Sequence, residues 1–256
     1  MDSLSQFNLA GRRALVTGSS RGIGFAIAGA LAGAGADVVL NGRDAEALGK
    51  AADTLAQGGV RVRALAFDVT SEDSVNEAIA YCEGEVGAID ILVNNAGMQF
   101  RTPLEDFPLG KFEMMMATNV TSAFIVGKAV ARHMISRGRG KIINICSLMS
   151  SLSRPSIAPY AVSKAAIANL TRGMATDWAK HGLNINGIAP GYFKTELNQA
   201  LMANPEFNEW VEKRTPMGRW GDVAELGGAA VFLASEASSF VNGHILYVDG
   251  AFTATV

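Results

Sequence analysis

The sequence Thr17-Gly-Ser-Ser-Arg-Gly-Ile-Gly24 joins an apolar run at residues 13–17 to an alanine-rich stretch at residues 23–34. The apolar run predicts a buried strand, and the alanine-rich stretch predicts a helix. Glycine permits a tight turn at Gly18, close approach of a ligand to the backbone at Gly22, and close packing of the helix on the strand at Gly24. Because free N–H groups at a helix N-terminus attract phosphate, the loop is predicted to bind a dinucleotide. The predicted phosphate-binding residues are Gly18, Ser19, Ser20, Arg21, Gly22, Ile23 and Gly24.

The spacing of this loop leaves an alternative open. It reads G-x-x-x-G-x-G rather than the G-x-G-x-x-G of the commonest dinucleotide fingerprint. A glycine-rich turn that binds no ligand would therefore fit the same residues.

The rest of the chain continues the alternation of strand and helix. This pattern predicts an α/β fold in one doubly wound domain spanning residues 1–256, with a seven-stranded parallel sheet and helices on both faces. Residues 192–216 form a longer connection than usual and are predicted to be a substrate lid. The predicted strands are 13–17, 37–40, 62–67, 89–93, 141–145, 184–188 and 244–248, and the predicted helices are 23–34, 45–57, 71–83, 112–135, 158–180 and 223–233.

Composition excludes several classes of function. With 22 Lys and Arg against 24 Asp and Glu, the near-neutral chain argues against a nucleic-acid partner. No apolar run reaches about 18 residues, so no membrane span is expected. Two cysteines, Cys82 and Cys146, do not make a disulfide framework, and residues 1–10 lack an apolar signal core. We therefore expect a cytoplasmic protein, and no residue cluster has the spacing of metal ligands.

The end of the second predicted strand indicates which nicotinamide cofactor is preferred. An acid there would bind the adenosine ribose and repel a 2′-phosphate, but Asn41 is neutral and Arg43 follows it. Together with Arg21, these residues favour NADP(H), with NAD(H) possible because Asp44 could partly neutralise Arg43. Ordinary surface arginines are the alternative interpretation.

The candidate catalytic residues follow the fifth predicted strand. Tyr160 and Lys164 are four residues apart at the start of a helix, so their side chains lie on one face. Because a nearby ammonium stabilises a phenolate, such a pair can act as a general acid–base near neutral pH. Ser147 lies where doubly wound sheets bind ligands, and its hydroxyl is predicted to hold the substrate oxygen. Taken alone, the Tyr-x-x-x-Lys spacing also occurs by chance on surface helices.

Two groups of asparagines end or interrupt predicted elements. Asn94 and Asn95 end the fourth strand, where their amides can satisfy backbone groups, and Gly97 lets the cofactor pass closely. Asn119 lies inside a predicted helix, although asparagine is a poor helix former. It is either a satisfied buried amide or a polar link in a proton relay to Lys164.

Together these motifs, in this order, resemble the short-chain dehydrogenase/reductase superfamily across essentially the whole chain. The resemblance implies a Rossmann-type fold, an active site of Ser147, Tyr160 and Lys164, and a water held by Asn119. Lys164 would also bind the nicotinamide ribose, with Tyr160 beside the cofactor, and the long helices would build a homotetramer. Further cofactor contacts implied by the resemblance are Asp68 and Val69 at adenine, Asn95, Ala96 and Gly97 along the cofactor, and Pro190, Gly191 and Thr195 at the nicotinamide.

Within this superfamily the chain is similar to the bacterial gluconate 5-dehydrogenases, which interconvert D-gluconate and 5-keto-D-gluconate. One departure is Ala251, which stands where glycine is usual, and another is Ser19, where alanine is frequent. A site for this anion needs a cation and several polar groups. At least one of Arg101 and Arg154 is predicted to anchor the carboxylate, although each could be a solvated loop charge. Gln99, Ser150 and Tyr192 are predicted to meet the hydroxyls, beside Ser147 and Tyr160.

Two alternatives stay open at this point. The chain could be another carbonyl reductase, acting on a 3-oxoacyl thioester or a different keto sugar acid. It could also be a non-catalytic NADP sensor, although a sensor has no need of Ser147, Tyr160 and Lys164.

Overall fold

The computed structural model describes residues 3–255, which form a seven-stranded sheet covered by helices on both faces. All neighbouring strands are parallel, and their order is β3-β2-β1-β4-β5-β6-β7. The predicted fold class is therefore confirmed. The strands are β1 (Arg13–Val16), β2 (Asp37–Gly42), β3 (Val62–Ala66), β4 (Ile91–Asn94), β5 (Gly140–Ile145), β6 (Leu183–Pro190) and β7 (Ile245–Val248).

The helices pack as two layers, one on each face of the sheet. Side chains of α1, α2 and α9 bury one face, and side chains of α3, α5 and α6 bury the other. Neighbouring residues of β1 show the division, because Ala14 and Val16 join the first core cluster while Leu15 joins the second. The helices are α1 (Gly22–Gly33), α2 (Ala45–Ala56), α3 (Glu72–Tyr81), α4 (Leu109–Met116), α5 (Ser122–Arg137), α6 (Ala158–Trp178), α7 (Gln199–Met202), α8 (Pro205–Arg214) and α9 (Gly227–Ala234).

Helix boundaries differ from the sequence prediction in three places. The helix predicted at 112–135 begins earlier, at Leu109, and is interrupted by a π-helical turn, Ala117–Thr121. The helix predicted at 223–233 opens as a 3-10 turn capped by Asp222 before α9 begins. Within the segment predicted as a lid, Asn204 caps α8 by accepting a hydrogen bond from the Phe207 N–H at 3.1 Å.

The strand order indicates where on the sheet a ligand would bind. The chain runs outward from β1 to β3, then returns to the other side of β1 with β4. Ligands of such sheets bind at this reversal, beyond the carboxyl ends of the strands. The glycine loop after β1, the turn after β4 and Ser147 after β5 all lie at this edge.

Residues 109–137 form one helical stretch that is long and apolar enough, by length and composition, to cross a membrane, although the sequence predicted no span. More than half of its most apolar window, 56%, is buried inside the fold. The stretch packs against α3, β4 and β5. Core helices of globular proteins pass the same length and hydropathy test, so this result is weak evidence for a membrane span.

Both cysteines are free and lie in the core. Burial raises the pKa of Cys82 to about 11 and that of Cys146 to about 11. A thiol in such surroundings holds almost no thiolate near neutral pH, so neither is a reactive nucleophile in this fold.

A buried polar ladder joins the central strands to α6. The Asn94 amide donates to the Oδ1 atom of Asn144 at 2.9 Å, and the Asn144 amide donates to the Thr171 hydroxyl at 2.9 Å. Asn144 and Thr171 are wholly buried. Because buried polar groups are costly when unpaired, this ladder fixes α6 on the sheet below the catalytic positions.

We predict that Asn144→Ala lowers the free energy of unfolding by about 1–3 kcal/mol, because the buried Asn94 amide loses its shorter hydrogen bond and the Thr171 hydroxyl loses its donor. Urea unfolding measures this change. Asn76→Ala, at an exposed position of α3, is the matched control and should change stability by less than about 0.5 kcal/mol. Equal effects of the two substitutions would contradict a structural role for the ladder.

Candidate active site

A cleft of about 960 Å³ runs along the carboxyl edge of the sheet. Its walls come from the loops that follow β1 to β6, as the strand order requires. Ser19, Asn119 and Ser150 do not line it, and the Ser150 hydroxyl donates instead to the Lys164 carbonyl at 2.7 Å, whereas Gln99 does line it. The predicted site residues on its wall are Gly18, Ser20, Arg21, Gly22, Ile23, Gly24, Asn41, Arg43, Asp68, Val69, Asn95, Ala96, Gly97, Arg101, Ser147, Arg154, Tyr160, Lys164, Pro190, Gly191, Tyr192 and Thr195.

The glycine loop has the backbone that its sequence predicts. Gly18 and Gly22 both have φ of +60°, a conformation that other residues adopt with strain. A Cβ at Gly18 would lie 2.8 Å from the Ala96 Cα atom, whereas a Cβ at Gly22 would meet no atom within 4 Å. Gly22 therefore leaves open space beside the start of α1.

The N-terminus of α1 can receive an anion. Arg21, the N-cap residue, makes no side-chain capping bond, and the first turn contains no acidic residue. The first N–H groups of the helix are thus available to phosphate oxygens. The free N–H groups at the start of α1 and the open space at Gly22 therefore suit a dinucleotide pyrophosphate.

Ser19 lies beneath the loop, where it cannot contact a cofactor through its hydroxyl. That hydroxyl donates to the Val16 carbonyl at 2.7 Å and accepts from the Asn41 N–H at 3.0 Å. Asn41 is similarly occupied, since its amide donates to the Phe67 carbonyl at 3.1 Å. Both side chains hold the loop against β2 and β3, a role that the glycine pattern did not reveal.

The part of the cleft that the sequence predicts to bind adenosine carries two arginines, Arg21 and Arg43. Arg21 pairs with Glu196 of the lid segment at 3.0 Å. Asp44 caps α2 by accepting from the Glu46 and Ala47 N–H groups, so its carboxylate is committed to the helix rather than to Arg43.

Asp68, on the same wall, stays ionised over a wide pH range. Hydrogen bonds from the Thr70 N–H and hydroxyl lower the pKa of this carboxyl, and Arg43 lowers it further. The Asp68 Oδ1 atom accepts from the Thr70 N–H at 2.9 Å and from the Thr70 hydroxyl at 2.7 Å. Thr70 therefore partly shields this oxygen.

The turn after β4 is tied to the glycine loop. The Asn95 amide donates to the carbonyls of Thr17 and Gly18 at 2.9 and 2.8 Å. Gly97 lines the cleft, where its predicted close approach to the cofactor stays a prediction. It also leaves room for Asn119, because a Cβ there would lie 3.3 Å from the Asn119 Oδ1 atom.

Ser147, Tyr160 and Lys164 line the same part of the cleft. The Lys164 ammonium lies 5.8 Å from the centre of the Tyr160 ring and donates to the Ile145 carbonyl at 2.7 Å. The Ser147 hydroxyl accepts from the Met149 N–H at 3.1 Å. This bond uses the acceptor side of the hydroxyl and leaves its hydrogen free for another oxygen.

Asn119 lies in the π-helical turn and clamps the backbone after β4. Its Oδ1 atom accepts from the Met98 N–H at 2.7 Å, and its amide donates to the Met98 carbonyl at 2.9 Å. The amide also donates to the Ser163 hydroxyl at 3.0 Å, and that hydroxyl donates to the Tyr160 carbonyl at 2.8 Å. The side chain therefore reaches the residue before Lys164, not Lys164 itself.

The far end of the cleft is cationic. Burial lowers the pKa of Arg101, and the positive charge of nearby Arg154 lowers it further. Neither pairs with a carboxylate among residues 3–255, and their buried Nε atoms have no hydrogen-bond partner there. The hydroxyls of Tyr192 and Thr195 are also buried and unpartnered. Burial raises the pKa of Tyr192, so it stays a neutral donor.

The sequence analysis did not predict the cluster of aromatic side chains that packs behind this end of the cleft. Tyr192 packs edge-on against Phe207, Trp210 and Trp220, and lies 5.4 Å from the ring of Phe252. We call these five residues the aromatic wall. The concentration of aromatic residues within 192–220 was a usable signal, but Phe252 comes from the far end of the chain and only folding brings it here.

Comparison with known proteins places this site in a family. A family model described as enoyl-(acyl carrier protein) reductase matches residues 18–253. The chain is 58% identical over 250 residues to gluconate 5-dehydrogenase of Gluconobacter oxydans (strain 621H), with 98% of each chain covered. The chain belongs to the short-chain dehydrogenase/reductase family. The family resemblance inferred from the motifs is thus confirmed.

Other members of the short-chain dehydrogenase/reductase family are also similar to the chain. It is 49% identical over 250 residues to 5-keto-D-gluconate 5-reductase of Escherichia coli (strain K12), covering 98% of each. Among solved structures, a gluconate 5-dehydrogenase from Burkholderia cenocepacia J2315 in complex with NADP and tartrate is 54% identical and gives a TM-score of 0.97, with 99% of this chain and 100% of that one covered.

Proposed function

We propose that this short-chain dehydrogenase/reductase interconverts D-gluconate and 5-keto-D-gluconate with NADP(H), NAD(H) being a poorer cofactor. Two guanidinium groups, those of Arg101 and Arg154, carry this proposal, because they have no carboxylate partner among residues 3–255 and make the end of the cleft beside Ser147 and Tyr160 a site for an anion. The similarity to gluconate 5-dehydrogenase and 5-keto-D-gluconate 5-reductase supports the same substrate pair.

The cofactor would lie along the adenosine and phosphate walls of the cleft. The start of α1 and the open space at Gly22 suit the pyrophosphate, and Arg21 and Arg43 suit a ribose phosphate. Asp68, Val69, Asn95, Ala96, Pro190, Gly191 and Thr195 complete this wall. When bound, NADP(H) accepts or supplies the hydride; the protein supplies orientation and charge.

Tyr160 is the proposed acid–base. In oxidation its phenolate oxygen takes the proton of the substrate hydroxyl, and in reduction its hydroxyl returns that proton. The Lys164 ammonium stabilises the phenolate by its charge, since it is buried and bonded to the Ile145 carbonyl rather than to an acid. Ser147 donates its free hydrogen to the substrate oxygen and so holds it beside Tyr160.

Asn119 is a proposed positioning residue of this machinery. Its side chain joins the Met98 backbone to Ser163, and Ser163 holds the Tyr160 carbonyl. With the amide fully occupied by protein, any water that it helps to hold would bind to the backbone of the π-helical turn.

The carboxylate of the sugar acid is proposed to bind Arg101 and Arg154. Tyr192 and Thr195, with buried unpartnered hydroxyls, would meet the substrate hydroxyls or the nicotinamide end of the cofactor. Gln99 holds Arg101 by accepting its hydrogen bond at 2.8 Å. Residues 192–216 would cover the substrate as a lid.

We expect the wild-type protein to reduce 5-keto-D-gluconate with NADPH, and to oxidise D-gluconate faster with NADP⁺ than with NAD⁺. Tyr160→Phe should lower turnover by about 10²–10⁴-fold, because it removes the proton-carrying oxygen. Nicotinamide absorbance measures turnover, and fluorescence titration should show NADPH affinity close to that of wild type. Full activity in Tyr160→Phe would overturn the acid–base assignment, and a wild-type protein that is silent on these sugar acids would overturn the proposed substrate.

Replacement of Arg101 or Arg154 by Met should raise the KM for D-gluconate by about tenfold or more, since a hydrogen bond to a charged group contributes about 1.5–3 kcal/mol. Arg63→Met, at an exposed position on β3, is the control and should leave KM unchanged. If neither active-site variant altered KM, the carboxylate would have to bind elsewhere.

We also propose that the chain forms a homotetramer through its long helices. Phe124 on α5 and Val162 on α6 expose 45% and 49% of their surface, and exposed apolar side chains on neighbouring helices favour burial against another copy. Sedimentation equilibrium should give four times the mass of the chain, and the mass of a monomer would contradict the proposal.

A further inference from the structure

A single arginine ties the lid segment to the end of the chain. Arg214, the last residue of α8, donates to the Phe252 carbonyl at 3.1 Å, to the Thr255 carbonyl at 3.0 Å and to the Thr255 hydroxyl. Its guanidinium also lies over the Phe252 ring, 4.7 Å from the ring centre. A planar guanidinium can make these bonds and this stack together, whereas an ammonium cannot.

Residues 249–255, which we call the C-terminal hook, hold one defined conformation. The Asp249 carboxylate accepts from the Ala251 N–H at 3.0 Å and from the Thr253 N–H and hydroxyl at 2.9 and 2.6 Å. Ala251 has φ of +70°, in the left-handed region that favours glycine. The hook therefore keeps a strained turn in order to bury Phe252, which is 4% exposed.

Phe252 connects the hook to residues of the 192–216 segment and to Tyr160 on α6, on both sides of the proposed substrate site. Its ring contacts Tyr192 and lies 5.9 Å from Trp210, and it packs in the same apolar cluster as Tyr160. Through the aromatic wall the contact continues to Phe207, whose ring lies 5.1 Å from the Arg154 guanidinium. The side chains proposed to bind the sugar acid are thus supported by rings that the hook anchors.

We propose that Arg214 and Phe252 are positioning residues for the substrate: they clamp the lid to the C-terminal hook and so hold Tyr192 and Arg154 in place for the sugar acid. Neither residue lines the cleft, so both act through others. The inference rests on the proposed function for the identity of the substrate, while the clamp itself is a property of the fold.

The test compares Arg214→Met, Phe252→Leu and the double variant, with Arg63→Met as the control on β3. Each single variant should raise the KM for the sugar acid by about tenfold or more, because misplacing a binding group by ~1 Å is enough for such a loss. NADPH affinity, measured by fluorescence titration, should stay near the wild-type value. The double variant should be little worse than either single one, since both break the same clamp.

Two results would overturn the clamp. One is an unchanged KM in both single variants, and the other is a loss of NADPH affinity as large as the rise in KM, which would indicate general damage to the fold. Thermal unfolding of each variant checks that the chain is folded, and Phe252→Leu keeps an apolar side chain in case Arg214→Met is unstable.

A second measurement does not depend on activity. Trp210 and Trp220 lie in the aromatic wall, whereas Trp178 packs with the core cluster on the other side of the molecule. Acrylamide quenching of tryptophan fluorescence should therefore increase in Arg214→Met and not in Arg63→Met. If the wild-type protein failed to turn over any sugar acid, the proposed function would be wrong, and the quenching measurement would still test the clamp. Unchanged quenching in Arg214→Met and in Phe252→Leu would refute the clamp.

Discussion

The hydrogen bonds from the Asn95 amide to the carbonyls of Thr17 and Gly18 hold the site together at the point where the chain reverses across the sheet. Two parallel strands that are distant in sequence have no turn to fix the loops beyond their ends. A side-chain amide supplies that link and leaves the N–H groups of the glycine loop free. Gly24 must lack a side chain for the same reason, because a Cβ there would overlap the Asn95 amide. The glycine loop and the turn after β4 are therefore held together as one unit.

From that unit a continuous polar path leads to the catalytic tyrosine. Gly97 leaves room for Asn119, which grips both backbone groups of Met98. Asn119 then reaches Ser163, and Ser163 holds the Tyr160 carbonyl. The side chains of Asn119 and Ser163 are buried, where an unpaired amide or hydroxyl would be costly. The path therefore sets the position of Tyr160 on α6 relative to the glycine loop and the turn after β4.

The two ends of the cleft use charge differently. Near the glycine loop Arg21 has an acidic neighbour, Glu196. At the other end Arg101 and Arg154 have no carboxylate partner among residues 3–255, and the positive charge of Arg154 adds to the burial that lowers the pKa of Arg101. Behind that end, Tyr192 packs against the rings of Phe207, Trp210, Trp220 and Phe252.

The sequence by itself determined the fold class, and it predicted the cofactor loop and the catalytic residues, because strand and helix periodicity, glycines at turns and the Tyr-x-x-x-Lys spacing are local patterns. It also placed Arg101 and Arg154 in the site, since loops after neighbouring strands share one edge of a parallel sheet. Tertiary structure alone decided that Ser19 lies beneath its loop rather than in it, and that the helix around Asn119 opens into a π-helical turn. It alone brought Phe252 behind the lid. These features depend on contacts between residues far apart in the chain, and burial, packing and the partners of a polar group exist only once those residues meet.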